Sequence, residues 1–437
     1  MARPWAWRSL PRPELEFTGG VVTAYGGAGL LREVLERLEV REALGQVVGP
    51  GAGRAYHTAD YLTGLLDGAL LGRGRQCEIA ALRDDPGGLM ALGRPGMPSQ
   101  SSISRFLNAC TKPVAEQVWR INRRLVRRLR SNYVTATLDL DGEVISTRGH
   151  PHRATRGYNP KRRGAKSYWA MVGFLGEGRD ILWADLRPGR EASVSARQAI
   201  RVYEQSRRSL PPLRWLRLRA DAGFFSHAFL TRLERDGVQY CVAARCDPPL
   251  KRVVPGVAFR RLDRKWAIGE RLYQAKPWSQ PRRIVVIRER LDPTEPKSKQ
   301  LQLLDYPGYG YQVIATNTTW TAEKVWHVYN HRCCLENILK ETQAHFAGDH
   351  ILAHGYGGNV LWLALSVLAY NLLNWFREKV LDQRGHRRTA GWLRRTLIEI
   401  PARLVHSARR WTLKAWQGDP RQALYDHARR RLAVLRL

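Results

Sequence analysis

Three residues in the C-terminal half of the chain could act together on a phosphate ester. Tyr329, Arg332 and Glu336 are spaced three and four positions apart, and residues at those spacings share one face of a helix. An arginine binds phosphate oxygens through a planar fork of donors, and a carboxylate beside it can hold a divalent cation. The spacing therefore predicts a helix face suited to metal-dependent cleavage of a nucleic-acid backbone.

Three further carboxylates belong to predicted strands. Asp139 and Asp141 follow a period of two, so their side chains point to the same face of one strand. Asp221 ends a later strand and is followed by Ala-Gly, a position where open sheets place ligands. Taken alone, an aspartate there is an ordinary cap or turn residue and Glu336 an ordinary solvated helix residue. The prediction of a joint site rests on their combination in a basic chain.

Carboxylates that converge from two strands and a helix would form a site of hard oxygen ligands. Such a site suits Mg²⁺ or Mn²⁺. Two ions about 3.5–4 Å apart can activate an attacking water or hydroxyl and stabilise the oxygen that leaves phosphorus.

The elements that must position these residues follow a recognisable order. The period-two alternation begins at residue 133 and predicts the first strand. The predicted elements after it are strands at residues 167–175 and 181–186, a helix at 195–209, a strand at 213–221, a helix at 226–237 and a strand at 239–244. The order β-β-β-α-β-α-β is that of the RNase H-like fold, a mixed α/β sheet with helices packed on it.

A long segment separates this series from the helix that carries Glu336. Strand-like patterns at residues 267–275, 283–289, 301–305 and 311–316 predict a β-rich insertion there. The predicted organisation is a helical N-terminal DNA-binding region at residues 1–130, the RNase H-like core in two parts at 131–245 and 321–380, the β-rich insertion domain at 246–320, and a C-terminal helical region at 381–437 that could serve dimerisation.

Composition indicates a nucleic-acid partner. The 437 residues include 72 Lys and Arg against 39 Asp and Glu, a formal net charge of +33, and such a charge attracts polyanions. A merely solvated basic surface is the alternative. Six cysteines without a CxxC pair argue against zinc and for a reducing cytosol. The start lacks the apolar core of a signal peptide. The apolar run at 360–376 is shorter than the ~20 residues of a membrane span, so it predicts a buried helix and no membrane association.

These motifs resemble those of the DDE transposases of bacterial insertion sequences, in the branch with a β-strand insertion between the second Asp and the Glu. That branch carries the signature Y-x2-R-x3-E-x6-K. Tyr329, Arg332 and Glu336 match it, whereas Gln343 stands in place of the lysine. Lys340, one turn earlier, could replace that phosphate contact. Other matching segments are Leu138-Asp139-Leu140-Asp141, Gly157-Tyr158-Asn159-Pro160-Lys161, Leu186-Arg187-Pro188-Gly189, Arg219-Ala220-Asp221-Ala222-Gly223-Phe224 and Ala369-Tyr370-Asn371-Leu372.

The resemblance implies a cut-and-paste DNA transposase that binds the terminal inverted repeats of its element, and then target DNA, as a homodimer. It implies that Asp141, Asp221 and Glu336 hold two Mg²⁺ ions, for which Mn²⁺ can substitute. In the family the first catalytic Asp is usually followed by Ser, Thr or Gly. That favours Asp141 over Asp139, although Glu143 stands where a Thr is common. The expected location is the bacterial cytoplasm, at the nucleoid.

Candidate DNA contacts lie outside the carboxylate set as well. Trp266 and Trp278 in the insertion could stack on a flipped base, since such stacking contributes ~1–3 kcal/mol. The alternative for both is a place in the core. A basic loop between the first two strands could follow the phosphates, or it could be a solvated hairpin tip. Its candidate residues are Tyr158, Lys161, Arg162, Arg163 and Lys166.

Two other functions remain open at this point. A catalytically silent or domesticated transposase-derived protein would bind DNA without cutting it. The intact carboxylate set argues against that function, and Gln343 weakly favours it. An RNase H-like nuclease would share the metal site, but it would cut without preference for the ends of one element.

Overall fold

The described residues of the chain form two sheets and fifteen α-helices. The computed structural model describes residues 17, 19–51, 55–191, 194–245, 247–276, 278–291, 308–383 and 388–435. Its strands are β1 Val21–Thr23, β2 Thr135–Ser146, β3 Thr155–Arg156, β4 Lys166–Leu175, β5 Ile181–Pro188, β6 Trp215–Ala220, β7 Gln239–Ala243, β8 Arg260–Arg261, β9 Trp266–Tyr273, β10 Arg282–Arg290, β11 Tyr309–Thr316, β12 Ala402–Ser407 and β13 Arg410–Ala415. Its α-helices are α1 Gly29–Arg37, α2 Val40–Gly45, α3 Thr58–Leu70, α4 Gln76–Ala80, α5 Pro86–Ala91, α6 Gln100–Ala109, α7 Lys112–Leu129, α8 Ala196–Arg207, α9 His227–Arg235, α10 Pro248–Val253, α11 Ala322–Asn330, α12 Cys334–Phe346, α13 Tyr356–Lys379, α14 Ala390–Leu393 and α15 Gln422–Val434.

The larger sheet contains the predicted core. Strand β2 pairs antiparallel with β4 and parallel with β6, and β6 pairs parallel with β7. Strand β5 pairs antiparallel with β4. Helices α8 and α9 precede β6 and β7 in the chain and pack against each other beside the sheet. The element order predicted from the sequence, a mixed α/β RNase H-like core, is confirmed.

The strands of the predicted insertion continue this sheet. Strand β11 pairs antiparallel with β7, and β10, β9 and β8 follow it to the edge. Strands β9, β10 and β11 correspond to three of the predicted segments, whereas the segment at 301–305 lies outside the described residues. The sequence predicted a β-rich insertion domain at residues 246–320, and the described strands of that range lengthen the core sheet. An alternating pattern in the sequence indicates that a strand is present, but it does not show which edge of a sheet that strand joins.

Helix α13 lies at the centre of the helical layer. It packs against α7, α3 and α6 of the N-terminal region. Within the described residues it is the one helix long and apolar enough to cross a membrane, and its apolar window is wholly buried in the protein. Two of its buried asparagines have partners: the Asn371 amide donates to the Ile181 carbonyl at 2.8 Å, and that of Asn374 to the Gly178 carbonyl at 2.8 Å. The helix is therefore a buried core element, as the sequence predicted.

The smaller sheet joins the two ends of the chain. Strand β12 pairs with β1 on one side and with β13 on the other. The C-terminal region, expected to be helical, thus contains a β-hairpin as well as helices. Residues Ala408 and Arg409 form the turn between β12 and β13, with positive φ angles of 48° and 61°. A two-residue turn with positive φ at both positions matches the twist of a hairpin.

Candidate active site

Asp141 and Asp221 lie side by side because their strands are parallel neighbours. Leu140 pairs with Ala220 in the register of β2 and β6, so each aspartate follows at the next position. Asp141 is within β2, which continues to Ser146. Asp221 ends β6 and accepts a hydrogen bond from the Gly223 amide at 3.0 Å. The predicted convergence of two carboxylates from two strands is therefore present.

The Arg332 guanidinium forms an ion pair with Asp141, one of these two carboxylates. Its Nη2 donates to Asp141 Oδ1 at 2.7 Å, and both side chains are only 16% exposed. Burial raises the pKa of the Asp141 carboxyl to about 6; Arg332 opposes that rise and the nearby Asp221 charge adds to it. Burial would lower the pKa of Arg332, but Asp141, Tyr329 and Asp221 together raise it. The site thus holds two acids and one permanent cation.

Tyr329 fixes helix α11, which leads directly into the turn that carries Arg332. Its side chain is 6% exposed and belongs to a cluster with Val325 on α11, Val285 and Ile287 on β10, and Ile314 on β11. Burial raises the pKa of its hydroxyl, while Arg332 lowers it. The strands of the insertion therefore form the surface on which this part of the site rests.

Glu336 is not with the other two carboxylates. Its side chain is 68% exposed and pairs with Lys340 of the next turn at 3.5 Å. A 3₁₀ turn, His331–Cys333, separates α11 from α12. Because a 3₁₀ turn has 3.0 residues rather than 3.6, it changes the direction in which later side chains point. The predicted stripe is therefore wrong as a single face: Arg332 pairs with Asp141, Tyr329 lies in the apolar cluster, and Glu336 faces solvent.

Asp139 has a different environment from Asp141. It is fully buried, and both carboxylate oxygens accept from Arg219, each at 2.6 Å. The two residues pair directly in the register of β2 and β6, and Arg219 also donates to the Val328 carbonyl at 2.9 Å. Both oxygens of Asp139 are thus occupied. The Arg219 partner was missed from the sequence, although its position two residues before Asp221 mirrors that of Asp139 before Asp141.

The donor chemistry fits a hard divalent cation in part. Asp141 and Asp221 supply neighbouring carboxylate oxygens, the ligands such ions prefer. No group of three His, Cys, Asp or Glu side chains within the described ranges is close enough to hold a metal.

The basic loop between β3 and β4 lies on the surface near the site. Tyr158 is 67% exposed, and Arg162 and Arg163 are exposed. Lys161 pairs with Glu143, two residues beyond Asp141, and Lys166 contacts His150 Nδ1 at 3.0 Å. The loop is thus anchored to the strand that carries Asp141, and two of its arginines point to solvent.

The remaining predicted contacts differ in exposure. Lys340 is exposed beside Glu336, and Gln343 is half-buried. Trp278 is 7% exposed, and its ring contacts those of Phe225, His227 and Tyr273. The proposed base contact of Trp278 is therefore replaced by a role in the core, because its faces are already covered. Trp266 is half-buried against Trp326, with ring centroids 5.0 Å apart.

Comparison with known proteins gives a family match over nearly the whole chain. The model of the family described as "Transposase DDE domain group 1" matches residues 9–437. Among solved structures, the chain is similar to a piggyBac transposase in a synaptic complex with hairpin DNA, determined by cryo-electron microscopy. That similarity has 12% sequence identity and a TM-score of 0.45, and it covers 95% of this chain and 81% of the other. No curated protein sequence matches the chain significantly.

Proposed function

The chain belongs to the family of transposases with a DDE domain, and from that premise we propose that it is a cut-and-paste DNA transposase of a bacterial insertion sequence. Its substrates are the terminal inverted repeats of its element and then target DNA, and it acts as a homodimer at the nucleoid. The observation that supports this most is the meeting of Asp141, Asp221 and Arg332 on the strands and helix of an RNase H-like core.

Asp141, Asp221 and Glu336 are the proposed ligands of two Mg²⁺ ions, for which Mn²⁺ can substitute. Bound ions of this kind activate an attacking oxygen and stabilise the departing one. Asp139 is not among the proposed ligands, because Arg219 occupies both of its oxygens. The proposal therefore takes Asp141 as the first acid of the set.

Arg332 is the proposed phosphate-binding residue of the site. Its guanidinium pairs with Asp141. The same planar fork fits a phosphate as well as a carboxylate, so a DNA backbone that enters the site offers it a second partner. Arg162 and Arg163 in the loop between β3 and β4 extend this positive surface.

Glu336 joins the pair in this proposal when the 3₁₀ turn at residues 331–333 rewinds into α-helix. Helices α11 and α12 then form one continuous helix, and residues at spacings of three and four share a face. Tyr329 is already fixed in the apolar cluster, so it would set the orientation of that face.

Replacement of Glu336 by Gln tests the assignment. We expect Glu336→Gln to abolish Mg²⁺-dependent cleavage of DNA that carries the ends of the element, while end binding and the melting temperature stay unchanged because the side chain is exposed. Glu42→Gln, an exposed glutamate on α2, is the matched control and should cut normally. Full cleavage by the Glu336 variant would sink the proposal.

One observation favours a second function. Glu336 stands apart from Asp141 and Asp221 and is paired with Lys340, which is what a DNA-binding protein without cutting activity could retain. Cleavage assays with and without Mg²⁺ separate the two. Wild-type protein that binds the ends but leaves them uncut supports the silent function, and cleavage without preference for the ends supports a nuclease.

A further inference from the structure

A β-hairpin near the C-terminus projects from the body of the protein. We call strands β12 and β13 with their turn, residues 402–415, the wing. Strand β12 pairs with β1 only through Ala402, Arg403 and Leu404, so beyond Leu404 the hairpin has its own two strands alone. The outer edge of β13 pairs with no strand in the described part of the chain.

The register gives the wing two different faces. Residues paired across antiparallel strands share a face. One face is apolar at its base, where Leu404 pairs with Leu413, and continues to His406 and Trp411, whose rings lie 4.4 Å apart. The other face is polar. Its cross-strand pairs are Arg403 with Lys414, Val405 with Thr412, and Ser407 with Arg410.

The polar face is cationic and has no acidic partner. Arg403, Arg410 and Lys414 are exposed, as is Arg409 at the turn. None of the four forms an ion pair with a described residue, and residues 402–418 contain no Asp or Glu. Without an ion-pair partner among the described residues, these charges remain available to an external anion.

The dimensions of this face fit a DNA duplex. Arg410 and Lys414 are four residues apart on one strand, about 14 Å at ~3.4 Å per residue, and phosphates repeat at ~3.4 Å of helix axis per strand. A two-stranded ribbon is also the width that the major groove admits. Trp411, 57% exposed beside the turn, lies on the opposite face with His406, so the cationic face alone fits the duplex.

We propose that the wing binds duplex DNA, with Arg403, Arg410 and Lys414 placed against its phosphates. The inference rests on the proposed function, since it assigns part of the DNA contact to a region that was expected to serve dimerisation. Charge complementarity selects the partner: a polyanion neutralises this face, whereas a second copy of the wing would bring the same cations together.

The test is the salt dependence of binding to an arbitrary 30-base-pair duplex by the full chain. Each phosphate contact adds about 0.9 to the slope of log K against log salt, so Arg410→Ala with Lys414→Ala should lower that slope by about 1.8. The matched control is Arg32→Ala with Arg37→Ala on α1, which changes net charge equally but removes cations already paired with Glu36 and Glu33. The control should leave the slope near its wild-type value.

An unchanged slope in the wing variant, with an unchanged melting temperature, would overturn the proposal. So would loss of a dimer in sedimentation without loss of DNA affinity, because that result assigns the wing to self-association. These outcomes can be told apart from those of the cleavage assay. If the wild-type protein fails to cut but the wing variant has a reduced salt-dependence slope, only the transposase proposal is rejected. If the wild-type protein cuts normally but the slope of the wing variant is unaltered, only the proposed role of the wing is rejected.

Discussion

Asp139 and Asp141 lie on the same face of β2, but their neighbouring residues give the two carboxylates different roles. Asp139 is fully buried and shares two hydrogen bonds with Arg219. Asp141 shares one bond with Arg332 and stays partly open beside Asp221. One carboxylate thus closes an internal ion pair, and the other is free to change partner.

Substitution separates these two tasks. Removing one member of a buried ion pair leaves an uncompensated charge and typically costs about 3–5 kcal/mol. We therefore expect Asp139→Asn to lower the free energy of unfolding by roughly that amount, and Asp141→Asn to lower it by clearly less, because Arg332 retains some access to water. Urea unfolding followed by circular dichroism measures both.

The activities should follow the opposite pattern. Asp141→Asn should lose Mg²⁺-dependent cleavage while it remains folded, and folded Asp139→Asn at low temperature should keep part of it. A stable, inactive Asp139 variant beside an active Asp141 variant would reverse the assignment of the first ligand.

The sequence predicted part of this arrangement. Alternation along β2 correctly placed Asp139 and Asp141 on one face, because the period of a strand is local information. The pairing of Asp139 with Arg219 depends on the register between strands 80 residues apart in sequence, which no local pattern contains. The turn at residues 331–333 contains neither glycine nor proline. The sequence therefore contains no sign of a break in the helix that would place Glu336 on a different face from Arg332.

At the scale of elements, the strands of the insertion form the support of the site helix. Helix α11 packs against β7, β9, β10 and β11, and Tyr329 lies in the apolar cluster between them. The positions of these strands along the chain followed from their alternation. Their continuity with the core sheet did not, since β11 joins β7 across the long segment that contains β8, β9 and β10.

A substitution in β10 tests this support. Ile287 is 1% exposed in the cluster under α11, and truncation of a buried isoleucine to alanine costs about 2–5 kcal/mol. We expect Ile287→Ala to lower the free energy of unfolding by an amount in that range. It should also reduce cleavage more than it reduces binding of duplex DNA, because it removes part of the packing around Tyr329. Leu272→Ala on the neighbouring β9, where the side chain is 66% exposed, should change stability by less than about 0.5 kcal/mol.

If the insertion strands were an independent module, both variants would leave the rate of cleavage unchanged relative to wild type. Thermal unfolding would then show two separate transitions. A single transition that shifts down only for Ile287→Ala is the result expected from one continuous sheet.

At the scale of the whole molecule, long-range contacts join regions that the sequence presents as separate. The N-terminal helices α3, α6 and α7 surround α13, and β1 pairs with β12 close to the other end of the chain. Arg130, at the end of α7, bonds Asp180 before β5 and Glu378 on α13. The described part of residues 1–130 therefore shares a core with the rest of the protein.

The net charge of +33 makes the stability of the whole protein sensitive to polyanions. Like charges repel in the compact state, and a ligand that binds only the folded form stabilises it by RT ln(1 + [L]/Kd), about 2.7 kcal/mol at 100 times Kd. We expect a saturating arbitrary duplex to raise the melting temperature by a few degrees at 50 mM salt, with the shift nearly gone at 500 mM because counterions compete. Scanning calorimetry with and without DNA measures it, and neutral dextran at equal mass is the control. A shift that is the same at both salt concentrations would mean that the positive surface does not carry the binding.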